Sequence, residues 1–184
     1  MIAEPGVIHH IANDRLIFGE LDGTRSARLE RLLEACRPAG FQARLSQNIE
    51  VDIWSKFVWL SVFSAVTTVT RLPIGPLRDD PDLLAMCRAA GMEAMAVAHA
   101  KGIPLPGTVF DDMVTGFQQL PPQVKSSMLE DLERGKPLEL PWLSGALVRI
   151  ADELGVSTPI HRFITTVLRP HSGGTKFGVL GSAF

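Results

Sequence analysis

Apolar residues change their period once along this chain. Over the first 46 residues they fall in short runs. Gly6 to Ile11 and Leu16 to Glu20 are β-like, lie on either side of Asn13-Asp14, and read as a hairpin. Asp22-Gly23 breaks the second run. Thr24 or Ser26 then caps a helix whose apolar positions are Leu29, Leu32, Leu33 and Cys36, with Pro38 and Gly40 ending it. Phe41 to Leu45 is one more strand. From about Gln47 the pattern is helical throughout, and Pro and Gly punctuate it. Asp80-Pro81 opens a helix that Gly102 stops, and a weaker helix covers Thr108 to Gln119 around Gly116. Pro121-Pro122 opens a helix closed by Gly135, Pro141 one closed by Gly155, and Thr158-Pro159 one ended by Pro170. The Gly-rich tail from His171 to Phe184 reads as loose. The expected fold is therefore mainly α, with a small α/β part at the front that is too short to close a sheet by itself.

One helical segment is apolar on nearly every side: Trp54 to Thr70, interrupted by Lys56. Its uncharged part, Phe57 to Thr70, has 14 residues, short of the ~20 that cross a bilayer, so it reads as a core helix. Lys56 must either snorkel to water or sit where neighbours manage its charge; in a desolvated site such a lysine becomes a usable acid. Helical spacing stacks Leu60, Ser64 and Thr67 above it.

Composition narrows the function classes. The chain has 184 residues, 46% apolar and 21% charged, with a net charge of −2. That is a globular composition, and it lacks the clustered cations that phosphate backbones require, so nucleic acid is not an expected partner. The two cysteines, Cys36 and Cys87, form no metal-ligand spacing, and no metal is expected. The N-terminal residues carry no secretory pattern, which points to a cytoplasmic protein away from membranes. A mean hydropathy of +0.16 is high for such a chain and suggests apolar surface that meets another domain or subunit, as in a homo-oligomer. The 16 glycines never form GxGxxG, and no P-loop, HExxH or GxSxG is present.

Five segments gain meaning in order. Trp54-Ser55-Lys56 opens the apolar helix and Leu72-Pro73-Ile74-Gly75 follows it. Ser126-Ser127-Met128-Leu129-Glu130-Asp131-Leu132, Glu139-Leu140 and Gly155-Val156-Ser157-Thr158-Pro159 come next. This series resembles the C-terminal domain of the ketopantoate reductase (2-dehydropantoate 2-reductase) family, and Ile17-Phe18-Gly19-Glu20 with Ala39-Gly40-Phe41 resembles the end of that family's nucleotide-binding domain. The resemblance implies a helical domain of the 6-phosphogluconate-dehydrogenase-like type over residues 47–172. Residues 1–46 would be a Rossmann remnant and 173–184 a flexible tail. About 120–130 residues of the nucleotide-binding domain would be missing in front, given the usual size of such a domain.

The resemblance also implies roles. Lys56 falls on the catalytic lysine that protonates the carbonyl oxygen, Ser127 on a serine that contacts substrate, and Glu139 on a glutamate beside the nicotinamide end of the cofactor. The full-length parent would be an NADP-dependent reductase of a small 2-keto acid, in pantothenate biosynthesis if the acid is ketopantoate. This chain alone would be inactive and would bind no cofactor. The family's asparagines four and eight residues after the lysine are Leu60 and Ser64 here, and its P-N-G asparagine is Ile74. Ser64 remains the substrate-facing candidate at its position, and the substrate is expected to be less polar than ketopantoate. The alternative is a non-catalytic dimerisation or interaction domain that kept the scaffold.

Overall fold

The computed structural model describes residues 2–9, 15–40 and 42–174. The chain divides into two compact units, residues 1–53 and 54–184. The division falls within a helix, slightly later than the change of apolar period at Gln47.

In the first unit, β1 (Ile2–Glu4) and β2 (Val7–Ile8) form a small antiparallel hairpin. β3 (Arg15–Phe18) does not extend it. It pairs in parallel with β4 (Gln42–Leu45), in the register Arg15 to Gln42 through Phe18 to Leu45. The expected hairpin between Gly6–Ile11 and Leu16–Glu20 is therefore corrected, although its Asn13-Asp14 turn lies outside the described residues. Helix α1 (Ala27–Cys36) is the reason: a helix between two strands returns the chain to the same end, which makes the strands parallel. Ser26, not Thr24, caps α1 by accepting from the Leu29 amide at 3.4 Å, while Thr24 is tied to Asp22. Glu20 braces this turn. Arg28 and the Ser26 hydroxyl bind its carboxylate and hold its pKa down to about 2. Leu16 and Ile17 stay exposed on this two-stranded sheet, and Leu32 of α1 is exposed too.

The second unit is built around α2 (Ile49–Thr70), which starts in the first. With 22 residues and high hydropathy, α2 has the length and composition of a membrane span. Packing uses that apolar character instead: Val58, Val62, Ala65 and Val66 are wholly buried. The helix ends at Arg71, which adopts a left-handed φ of 58°. Next come α3 (Ile74–Asp79), α4 (Pro81–Ala100), α5 (Val109–Gln119), α6 (Ser127–Glu133), α7 (Ser144–Leu154) and α8 (Pro159–Leu168). Asp80 caps α4 as its sequence foretold, accepting from the amides of Asp82 and Leu83.

Two helix starts are corrected. Pro121-Pro122 does not open α6, because the carbonyls of Pro122 and Val124 accept from the amides of Gly75 and Ile74 and hold the segment as a turn. The approach is close enough that a side chain at Gly75 would sit 2.8 Å from Pro122 Cβ. Likewise Pro141 lies in a turn closed by the amides of Trp142 and Leu143 on the Glu139 carbonyl, and α7 begins only at Ser144. The tail is also less loose at its start than expected. The Ser172 carbonyl accepts from the Leu138 amide at 3.0 Å, and residues 175–184 lie outside the described range. Cys36 and Cys87 are both buried free thiols, and burial pushes Cys87 up to about 11.

Candidate active site

Lys56 sits on the exposed side of α2, two residues past the buried Trp54 ring, which stacks edge-on against Phe57 at 5.3 Å. Asp52, one turn earlier, is already engaged by Arg44 Nη2 at 2.6 Å and by the Ser46 hydroxyl. The Lys56 ammonium thus stands in solvent.

The stripe above Lys56 sinks from solvent into the core. Leu60 is half-buried, and Ser64 and Thr67 are buried. Leu60 and Phe57 pack on a cluster of Ala65, Met128, Leu132, Leu138, Leu140, Leu143, Ile164 and Leu168. Met128 directly follows Ser127, and Leu138 and Leu140 flank Glu139. Ser127 and Glu139 are themselves exposed. One apolar cluster therefore anchors the chain next to three exposed polar residues, Lys56, Ser127 and Glu139. The sequence singled out these three and Ser64, and Ser64 is not exposed beside them. Eight residues turn a helix about 80° beyond two full turns, and that rotation carries Ser64 to the core face at 3% exposure.

The two serines of α6 divide their work. Ser126 is the N-cap, and its Oγ accepts from the Leu129 amide at 3.1 Å. It also lies 2.7 Å from Thr67 Oγ1, which donates to the Phe63 carbonyl at 2.6 Å. An amide can only donate and a carbonyl only accept. The direction therefore runs from the Leu129 amide through Ser126 and Thr67 to Phe63. This chain pins the start of α6 to α2 and leaves Ser127, the first helical residue, pointing outward. Ser126→Ala removes both the cap and Thr67's donor, and is expected to cost about 1–2 kcal/mol. A fall in the urea midpoint at unchanged m-value would show it; an unchanged midpoint would refute the pinning.

Ile74, at the family's asparagine position, is wholly buried and its amide is bound to Val124. Two polar anchors escaped the sequence reading. Glu93 of α4 receives the amides of Ile160 and His161 at 2.8 and 3.0 Å and so caps α8, whose own N-cap Thr158 makes no side-chain cap. His161 is wholly buried between Ala90 and Ser144. No local signal joins residues 67 positions apart, although a lone histidine after Thr158-Pro159 was visible. Among the described residues no three His, Cys, Asp or Glu side chains gather as a metal site.

A helical unit packed around one apolar helix, preceded by a parallel strand–helix–strand, is an architecture shared with solved ketopantoate reductases. Residues 48–172 match the family model described as ketopantoate reductase PanE/ApbA C terminal, and the chain belongs to the ketopantoate reductase family. A 2-dehydropantoate 2-reductase of Mesorhizobium japonicum is 34% identical over 82% of this chain and 44% of its own. One of Archaeoglobus fulgidus is 30% identical over 85% of this chain and 52% of its own. The chain thus spans about half the length of the curated relatives it matches. The crystal structure of 2-dehydropantoate 2-reductase from Methylococcus capsulatus superposes with a TM-score of 0.84 at 29% identity, covering 97% of this chain and 58% of that one.

Proposed function

We propose that this chain forms the substrate domain of an NADPH-dependent 2-keto acid reductase, with residues 1–46 closing its nucleotide-binding domain and 47–172 carrying the chemistry. The supporting observation is the placement of Lys56, Ser127 and Glu139 around one buried cluster within the matched family region. Glu139 suits the nicotinamide end of the cofactor, since an exposed carboxylate accepts from an amide or a ribose hydroxyl. The sequence holds no GxGxxG turn, so the pyrophosphate is assigned to none of these residues. NADPH would supply the hydride when bound.

This chain's own residues do the rest. The outward hydroxyl of Ser127 donates to the substrate carboxylate and orients the acid. Lys56 faces the keto oxygen. As C2 is reduced, negative charge gathers on that oxygen, and the ammonium stabilises it and then donates its proton. The oxygen becomes the hydroxyl of a 2-hydroxy acid, and the lysine regains a proton from water. Ser64, being buried, holds no substrate in this scheme.

The test is NADPH consumption by the intact protein on a panel of 2-keto acids that includes ketopantoate. Turnover of any of them at enzymatic rates supports the reading, and none sinks it. Residues 1–184 alone are expected to show no micromolar affinity for NADPH by calorimetry. The apolar residues left exposed, among them Trp142 and Phe163, favour self-association of a cytoplasmic enzyme.

A further inference from the structure

We infer that Leu60 sets the substrate class, and that the acid reduced over Lys56 carries an apolar, hydroxyl-free substituent on C3. This rests on the reductase reading above. Leu60 lies one helical turn beyond Lys56, so the two side chains are neighbours on α2. It is half-buried, with one side packed on the cluster of Met128, Leu138 and Leu140 and the other reaching the surface beside the lysine. Phe57, also half-buried, packs on the same cluster.

A 2-keto acid is small. When its keto oxygen meets Lys56 and its carboxylate meets Ser127, the C3 substituent has only the next few ångströms of this surface to rest on. The α2 side chains offered there are Leu60 and Phe57, which neither donate nor accept. The polar groups further along cannot replace them. Ser64 is buried on the core face, Thr67 is engaged by Ser126 and Phe63, and Ile74 is sealed with its amide bound to Val124. With Ser127 given to the carboxylate and Glu139 to the cofactor, a hydroxyl on the substituent would give up water without a new partner on α2, whereas methyl groups gain by contact.

The decisive pair is ketopantoate and trimethylpyruvate, which share a carbon skeleton and differ by one hydroxyl. The intact reductase is expected to favour trimethylpyruvate by about 10–100-fold in kcat/KM, the scale on which apolar sites discriminate. Leu60→Asn supplies an amide at that spot and should move the ratio at least ~10-fold toward ketopantoate, while Leu60→Met leaves it unchanged. Because Leu60 also packs on the core, the ratio is read within each variant, where the fraction of folded enzyme cancels. A wild type that prefers ketopantoate, or a ratio indifferent to Leu60→Asn, overturns the inference with the reductase reading intact. Reduction of neither acid nor any other 2-keto acid overturns that reading as well.

Discussion

In the intact protein, Lys56→Ala is expected to lower kcat by about 10²–10⁴-fold, the range general acids contribute, with a much smaller change in KM. In the proposed mechanism the ammonium meets its strongest partner, the developing alkoxide, only in the transition state. Loss of such an interaction lowers kcat and kcat/KM together. No neighbour on α2 can stand in for it. Leu60 cannot donate, Ser64 is buried, and Thr67 already gives its hydrogen to the Phe63 carbonyl. Lys56→Arg keeps the charge but holds its proton too tightly to pass it on near neutral pH, so it should rescue KM and not kcat. Lys56 is exposed, so neither change should move the thermal midpoint appreciably. If the alanine variant kept kcat within about threefold, far inside the general-acid range, Lys56 would be a snorkelling lysine. The non-catalytic interaction domain would then be the better description.

The second large effect concerns acid stability and centres on His161. The Ala90 carbonyl, 3.1 Å away, can only accept, so Nε2 carries the hydrogen. Nδ1, 3.1 Å from Ser144 Oγ, then accepts from that hydroxyl. The ring is neutral, and burial lowers its pKa from 6.5 to about 4, opposed by the hydrogen bond to Ala90. Between those two values the unfolded chain binds a proton that the folded chain refuses. Stability is therefore fully present above pH 6.5 and declines as the pH falls toward 4, by roughly 3 kcal/mol in all. Urea midpoints measured across that window should show the decline, and His161→Gln, which keeps a donor and an acceptor without titrating there, should flatten it. A wild-type curve level from pH 7 to 4 would contradict the neutral, sealed ring. Glu20 titrates lower: its lowered pKa places its loss between 4.5 and about 2.

Much of this was legible in the residues themselves. The cap-and-breaker grammar located α4 through Asp80-Pro81 and Gly102, and α8 through Thr158-Pro159. Those signals act within one helical turn, which is why they can be read locally. The uniform apolarity of Trp54 to Thr70 announced a buried central helix, and the ordered motifs around Lys56, the paired serines and Glu139 carried the resemblance to the family. What failed locally failed because distant partners decided it. The runs around residues 8 and 17 look alike, yet one pairs with β1 and the other with β4, since alternation describes a strand and not its neighbour. Pro121 and Pro141 resemble helix openings until carbonyls nearby are claimed by Ile74, Gly75, Trp142 and Leu143. Tertiary structure alone separated Ser126 from Ser127, turning one into a buried cap bound to Thr67 and the other outward. It alone sent Ser64 into the core and seated Glu93 on α8. Those outcomes depend on which helix faces meet, and residues tens of positions apart share no local signal of that meeting.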